Sequence, residues 1–209
     1  MGISEMDSRF SELARLIEEW PGLVSAPASG LIADCLVVLD HLGGAQTLVD
    51  VGSGGGLPGL PLKIARPELE VTLIEADQAK AAFLVQTAAR LGLRGVEVVA
   101  RRAEDTGRDP RYRERFDVAV ARALAALPVL VELCLPLVRV GGRMLAQKTE
   151  KEDLTAAAHA IEVLGGSLHG AAPAPSAVRR AGTVVVVDKV RLTPDAYPRR
   201  PGIPARKPL

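Results

Sequence analysis

Leu48-Val49-Asp50-Val51-Gly52-Ser53-Gly54-Gly55-Gly56-Leu57-Pro58-Gly59 is an apolar strand that runs into an acid, a glycine loop and a proline able to open a helix. Glycines at 52, 54, 56 and 59 let the backbone turn sharply and let a ligand approach closer than a Cβ would permit. The amides at the start of the following helix favour negative or polar ligand groups. A nucleotide-like cofactor is expected here.

On either side of this loop, apolar strands alternate with helical patterns. Strands are expected over 47–52, 70–76, 96–101, 116–121 and 142–148, and helices over 58–65, 78–91, 125–138 and 150–164. The strands are continuous apolar runs such as Val71-Thr72-Leu73-Ile74, as required when helices cover both sheet faces. The alternation predicts βαβ units and a doubly wound parallel sheet. Thr183-Val184-Val185-Val186-Val187 reads as a further strand, antiparallel to the rest, with Ala171 to Pro175 as the loop before it. Upstream, a first helix is expected over about 5–20, capped by Ser4 with Asp7 and stopped by Pro21-Gly22, and a second over about 31–42. Prolines at 194, 198, 201, 204 and 208 predict an extended tail after Leu192. The expected division is a helical extension over 1–45, a Rossmann-like domain over 46–192 and a basic, proline-rich tail over 193–209.

At 209 residues, 48% of them hydrophobic, the chain can bury a sizeable core, which excludes global disorder. No apolar stretch is long enough to cross a membrane, and the acidic, amphipathic N-terminus is unlike a signal peptide. A soluble, cytoplasmic monomer is the expectation. Cys35 and Cys134 have no metal or redox spacing, so no metal site is expected and both read as buried thiols. The net charge of +1 hides an asymmetry: residues 179–209 hold eight lysines and arginines against two aspartates, +6 in all, leaving −5 for the rest. A basic end on an acidic body points to a polyanionic partner, against the plainer reading of a solvated tail.

Gly54-x-Gly56-x-x-Gly59 matches the dinucleotide fingerprint, with Glu75 placed 21 residues beyond Gly54 to accept from both ribose hydroxyls. This spacing serves NAD and S-adenosylmethionine alike. Three features tilt the choice toward the latter. Asp50 stands where NAD fingerprints keep an apolar residue, and can contact the loop or the ammonium group of the cofactor's amino-acid end. Ala103-Glu104-Asp105 follows the third strand near an adenine edge, and Gly141-Gly142 turns tightly into the fifth. Each has a plainer alternative: a cap for the glycine turn, the start of a surface loop, and a simple turn.

For the acceptor, the stretch after the fourth strand reads Val120-Ala121-Arg122-Ala123-Leu124, without the Asn/Asp-Pro-Pro-aromatic motif of exocyclic-amine methyltransferases. Cys134 lies in an apolar helix, unlike the nucleophile of cytosine-C5 enzymes. His41, His159 and His169 stand apart from the glycine loop, with no evident carboxylate partner. What remains is an acceptor that needs no general base. Guanine N7 is such an atom, so no catalytic residue is assigned beyond a positioning role for Arg122, on guanine O6/N7 or on the cofactor.

Together these residues resemble the glucose-inhibited division protein B family, the ribosomal small-subunit methyltransferases G. The resemblance is carried by the loop Asp50 to Leu62, by Val71-Thr72-Leu73-Ile74-Glu75 and by Arg102-Ala103-Glu104. Further on, Ala121-Arg122-Ala123-x-Ala125-x-Leu127, Pro136-Leu137-x-x-x-Gly141-Gly142, Lys148 and the tail from Thr193 to Leu209 also match. It implies a class I S-adenosylmethionine-dependent methyltransferase with a mostly parallel, seven-stranded sheet, acting on N7 of one guanine in the 530 loop of 16S rRNA, free or in the 30S subunit. The cofactor residues it supports are Asp50, Gly52, Gly54, Gly56, Leu57, Glu75, Ala103, Glu104 and Arg122; Lys148, Arg199, Arg200 and Lys207 are the candidate RNA contacts. The chain departs from the family at Gly22-Leu23-Val24-Ser25, at Leu31-Ile32-Ala33-Asp34-Cys35 and at Thr149. A small-molecule methyltransferase on the same fold and a non-catalytic ribosome-assembly factor are the alternatives.

Overall fold

β1 (Thr47–Val51), β2 (Glu70–Ile74), β3 (Val96–Val99), β4 (Phe116–Arg122), β5 (Val138–Thr149), β6 (Gly166–Pro173) and β7 (Gly182–Lys189) form one sheet in a computed structural model. The structure describes residues 3–20, 23, 27–149 and 152–209. The strand order is β3-β2-β1-β4-β5-β7-β6. β1 to β5 pair in parallel, and β7 runs antiparallel to both β5 and β6. The doubly wound sheet expected from the alternation, and the mostly parallel, seven-stranded form that the resemblance implies, are therefore observed.

Period-two alternation divides the strand side chains between two cores. Val184 and Val186 join one core with α1 (Ile3–Glu18), α2 (Ala28–Leu36), α3 (Gly59–Ala65) and α4 (Gln78–Arg90). Val185 and Val187 join the other with α6 (Leu127–Cys134) and α7 (Ala158–Val163). The two smallest helices, α5 (Ala103–Thr106) and α8 (Ile203–Arg206), flank this second face. Trp20 meets Phe83 of α4 edge-on, with ring centroids 5.0 Å apart, which fastens the end of the first helical segment to α4.

The differences from the sequence expectation have local causes. α1 already includes Ile3, so Ser4 lies inside the helix and does not cap it; the Pro21-Gly22 stop lies outside the described residues. α2 begins at Ala28 and ends at Leu36, and a 3-10 turn over Leu39–His41 replaces the rest of the expected helix. The predicted loop at 171–175 is largely strand: β6 pairs with β7 through Pro173↔Thr183. β6 is a mostly exposed edge strand in which Leu168 is the one large aliphatic side chain, so it lacks the apolar run by which buried strands declare themselves. β5 begins at Val138, four residues early, because the Gly141-Gly142 turn is an irregularity within the strand. The helix expected over 125–138 gives way to a 3-10 turn at Leu135–Leu137, around Pro136. The helix expected over 150–164 is only α7, preceded by a 3-10 turn over Thr155–Ala157; residues 150 and 151 lie outside the described residues.

The tail differs most. It is neither wholly extended nor free. α8 forms within it, and Arg108 and Arg113 hold its carbonyls: Arg108 Nε donates to Pro198 O at 2.7 Å and Arg113 Nη2 to Thr193 O at 2.7 Å. Lys189 is fully buried and donates to Leu135 O at 2.7 Å and to Thr193 Oγ1, so the root of the tail is fixed beneath the second core.

Candidate cofactor cleft

The chain leaves β1 toward β2 and β3 on one side, then returns through β4 to build the other half of the sheet. Loops after β1 and β4 therefore part in opposite directions, and a crevice opens at their C-terminal ends. A cleft of about 390 Å³ lies there. Its wall contains seven of the nine residues expected to meet a cofactor: Gly52, Gly54, Leu57, Glu75, Ala103, Glu104 and Arg122.

Gly52 has φ +74°, which a side chain would strain, and the Leu124 side chain lies directly over its Cα. Leu124 reaches that position because Ala123, at the end of β4, takes φ +52° and turns the chain across the cleft. Opposite, the Glu75 carboxylate is held twice: Oε2 accepts from Gly54 N and Oε1 from Asp77 N, each at 2.8 Å. Each oxygen keeps a lone-pair direction for a further donor. Asp77 in turn caps α4, accepting from Ala79 N and Lys80 N, so the whole turn after β2 is rigid.

Asp50 and Gly56 are not on the wall. Asp50 is fully buried behind the loop, where its Oδ2 accepts from Gly59 N at 2.8 Å and its Oδ1 has no partner. This geometry is the turn cap that the sequence left as the plainer alternative. Burial pushes the carboxyl up to about 7, against the Gly59 N–H that favours its charged form. Gly59 has no room for a side chain: a Cβ would stand 2.5 Å from Leu73 Cδ2.

Arg122 reaches the cleft from β4, and its Nε donates to Asp34 Oδ2 at 3.2 Å. Asp34, fully buried on α2, also accepts from Arg179 Nε at 3.1 Å and Ser176 Oγ at 2.6 Å. One carboxylate thus fixes two guanidinium groups from distant parts of the chain, and sequence reading assigned neither Asp34 nor Arg179 a role. Glu104 is only 4% exposed, and its Oε1 accepts from Gly202 N at 2.8 Å. Lys80, Arg101 and Arg102 also line the cleft, giving four cations with Arg122 against the carboxylates of Glu75 and Glu104. The doublet Arg101-Arg102 was visible in the sequence, but only the fold brings it to the rim beside Lys80.

The four predicted RNA contacts fall into two pairs. Lys148 Nζ donates to Ala125 O at 2.6 Å and pairs with Glu152 at 3.0 Å. Arg199 forks onto the fully buried Glu132, with Nη2 to Oε2 at 2.5 Å. Both cations therefore have protein partners. Arg200 and Lys207 are exposed. His41, His159, His169 and Cys134 lie outside the cleft wall. Cys35 and Cys134 are buried and unlinked, and burial drives both thiols well above their ordinary range. Among the described residues no cluster of His, Cys, Asp and Glu could hold a metal ion, and no helix is long and apolar enough to cross a membrane.

Among solved structures, the geranyl diphosphate methyltransferase in complex with SAM is similar at a TM-score of 0.60 and 16% identity, over 85% of this chain and 90% of that one. This is a likeness of fold. At the level of sequence, the "Ribosomal RNA small subunit methyltransferase G" of Moorella thermoacetica is 48% identical over 171 residues, 79% of this chain and 70% of that protein. The protein of the same name from Roseiflexus castenholzii is 52% identical over 164 residues, 78% of this chain and 70% of that protein. The family model described as rRNA small subunit methyltransferase G matches residues 28–171, which span α2, the glycine loop, Glu75, Ala103-Glu104 and Arg122. This chain belongs to the rRNA small subunit methyltransferase G family.

Proposed function

We propose that this protein transfers a methyl group from S-adenosylmethionine to N7 of a guanine in the 530 loop of 16S rRNA, acting as a monomer on the free rRNA or the 30S subunit. The observation that carries the proposal is the cleft at the β1–β4 crevice, with the Gly52–Gly54 turn on one side and the fixed Glu75 carboxylate on the other. Its volume suits a ligand of this size. Glu75 can accept from both ribose hydroxyls, Ala103 and Glu104 stand at the adenine side, and Gly52, Leu57 and Arg122 face the amino-acid end. The cofactor supplies an electrophilic methyl group. The protein's task is then alignment of an acceptor lone pair behind it. Guanine N7 carries a free lone pair at neutral pH, so no group on this chain has to remove a proton first.

The rim cations favour a polyanionic acceptor over a small neutral one. Lys80 and Arg102 at the mouth, with Arg200 and Lys207 on the tail, are suited to neutralise phosphates, whereas Arg101 already pairs with Asp109 at 2.8 Å. The proposed division of the chain keeps 1–45 as the helical extension, 46–192 as the methyltransferase domain and 193–209 as the tail. The test is incubation with radiolabelled S-adenosylmethionine and deproteinised 16S rRNA or 30S subunits lacking the modification, followed by N7-specific strand cleavage. One labelled guanine in the 530 loop is the expected result. Label at another atom or another guanine would overturn the assignment, and no label in either substrate would remove ribosomal RNA as the acceptor.

A further inference from the structure

Glu104 touches two parts of the molecule at once. It lines the cleft, and its Oε1 accepts from the backbone N–H of Gly202, 98 residues away in the tail, with Arg102 Nη2 more distant at 3.6 Å from the same oxygen. Its Oε2 has no hydrogen-bond partner among the described residues and is not enclosed, so it is left at the cleft wall. The tail is held firmly enough to make this contact a fixed one. Arg199 meets the buried Glu132 through its backbone N, its Nε and its Nη2, and its Nη2 also donates to Lys207 O at 2.8 Å, closing the segment into a loop. The Pro198 ring packs on Gly107, at the other end of α5 from Glu104. Tail residues therefore clamp α5 at both ends. Gly202 itself has φ +80°, the left-handed conformation that aims its N–H at the carboxylate.

We propose that the C-terminal segment is a strap that sets base specificity in the cleft, with Gly202 as the positioning residue. Its N–H pins Glu104 Oε1, so that Oε2 presents an acceptor to the 6-amino group of adenine. This rests on the cofactor reading above. A carboxylate held in this way favours the amino donor of adenine and repels the 6-oxo group of hypoxanthine. A carboxylate free to rotate or withdraw would discriminate less.

The measurement is calorimetric binding of S-adenosylhomocysteine and S-inosylhomocysteine to the full chain and three variants. In the unaltered protein the adenosyl ligand binds more tightly. Gly202→Pro removes the N–H and cannot adopt the native φ, and lowers the preference about tenfold, the equivalent of one charge-assisted hydrogen bond. Gly202→Asn keeps the N–H in a residue that tolerates left-handed backbone, and retains the preference. Glu104→Gln supplies the second arm. With its oxygen held by Gly202 N–H, the amide must present N–H to the base, and the preference inverts toward the inosyl ligand. An unchanged preference in Gly202→Pro, or no inversion in Glu104→Gln, overturns the strap while leaving the cofactor reading intact. Failure of the unaltered protein to bind S-adenosylhomocysteine overturns both.

Discussion

Replacing Glu75 by alanine removes the acceptor of two backbone N–H groups together with the proposed ribose contacts. Cofactor affinity is expected to fall by about a hundredfold or more, since hydrogen bonds to a charged group contribute about 1.5–3 kcal/mol each. Titration calorimetry checks this, and an affinity within a few fold of the unaltered protein would remove Glu75 from the site. Asp50 makes a different prediction, about stability. Native Asp50 keeps its proton up to about pH 7, whereas an unfolded aspartate releases it near pH 4. Between those values the folded state binds more protons, so the contribution is full below about pH 4 and is lost as pH rises through 7. Asp50→Asn keeps an acceptor for Gly59 N–H without a charge. Its urea-unfolding stability should therefore lack the decline that the unaltered protein shows across that window; parallel profiles would place the Asp50 titration elsewhere.

At the scale of elements, the tail is bound to the body by a buried ion pair. Arg199→Ala removes the guanidinium from the buried Glu132 and leaves it only the backbone N–H of residue 199, at a cost of about 3 kcal/mol. Thermal unfolding should show a fall of several degrees. Adding Glu132→Gln should restore most of it, and a double variant as unstable as Arg199→Ala would point to lost packing. RNA affinity should respond more to Arg200→Ala than to Arg199→Ala once both are compared well below their melting temperatures. The sequence showed the positive charges of this segment but not that one of them was already paired. It also showed every buried strand, because continuous apolar runs are a local signal. β6 escaped because an edge strand is specified mainly by the neighbour it pairs with.

For the whole molecule, the charge asymmetry becomes a surface. The exposed tail cations Arg200 and Lys207 and the rim residues Lys80 and Arg102 are the proposed phosphate contacts. Binding to 16S rRNA should weaken steeply with salt. Replacing Arg200 and Lys207 together by alanine should lower the slope of log affinity against log salt by about 1–2. Filter binding across a salt series measures it, and an unaltered slope would take the tail out of the RNA interface.

By itself the sequence determined the parallel sheet, the glycine loop after β1 and the position of Glu75, since each follows from periodicity or from residues close together in the chain. Gly54 and Glu75, although 21 residues apart, are joined by adjacent parallel strands whose register the pattern already implies. Only the tertiary structure decided the rest of the site. Arg122 meets Asp34 across 88 residues, Arg179 meets the same carboxylate across 145, and Gly202 meets Glu104 across 98. Such pairs leave no period in the sequence. They form because burying a carboxylate requires a donor, and which donor arrives depends on how the sheet folds back on itself.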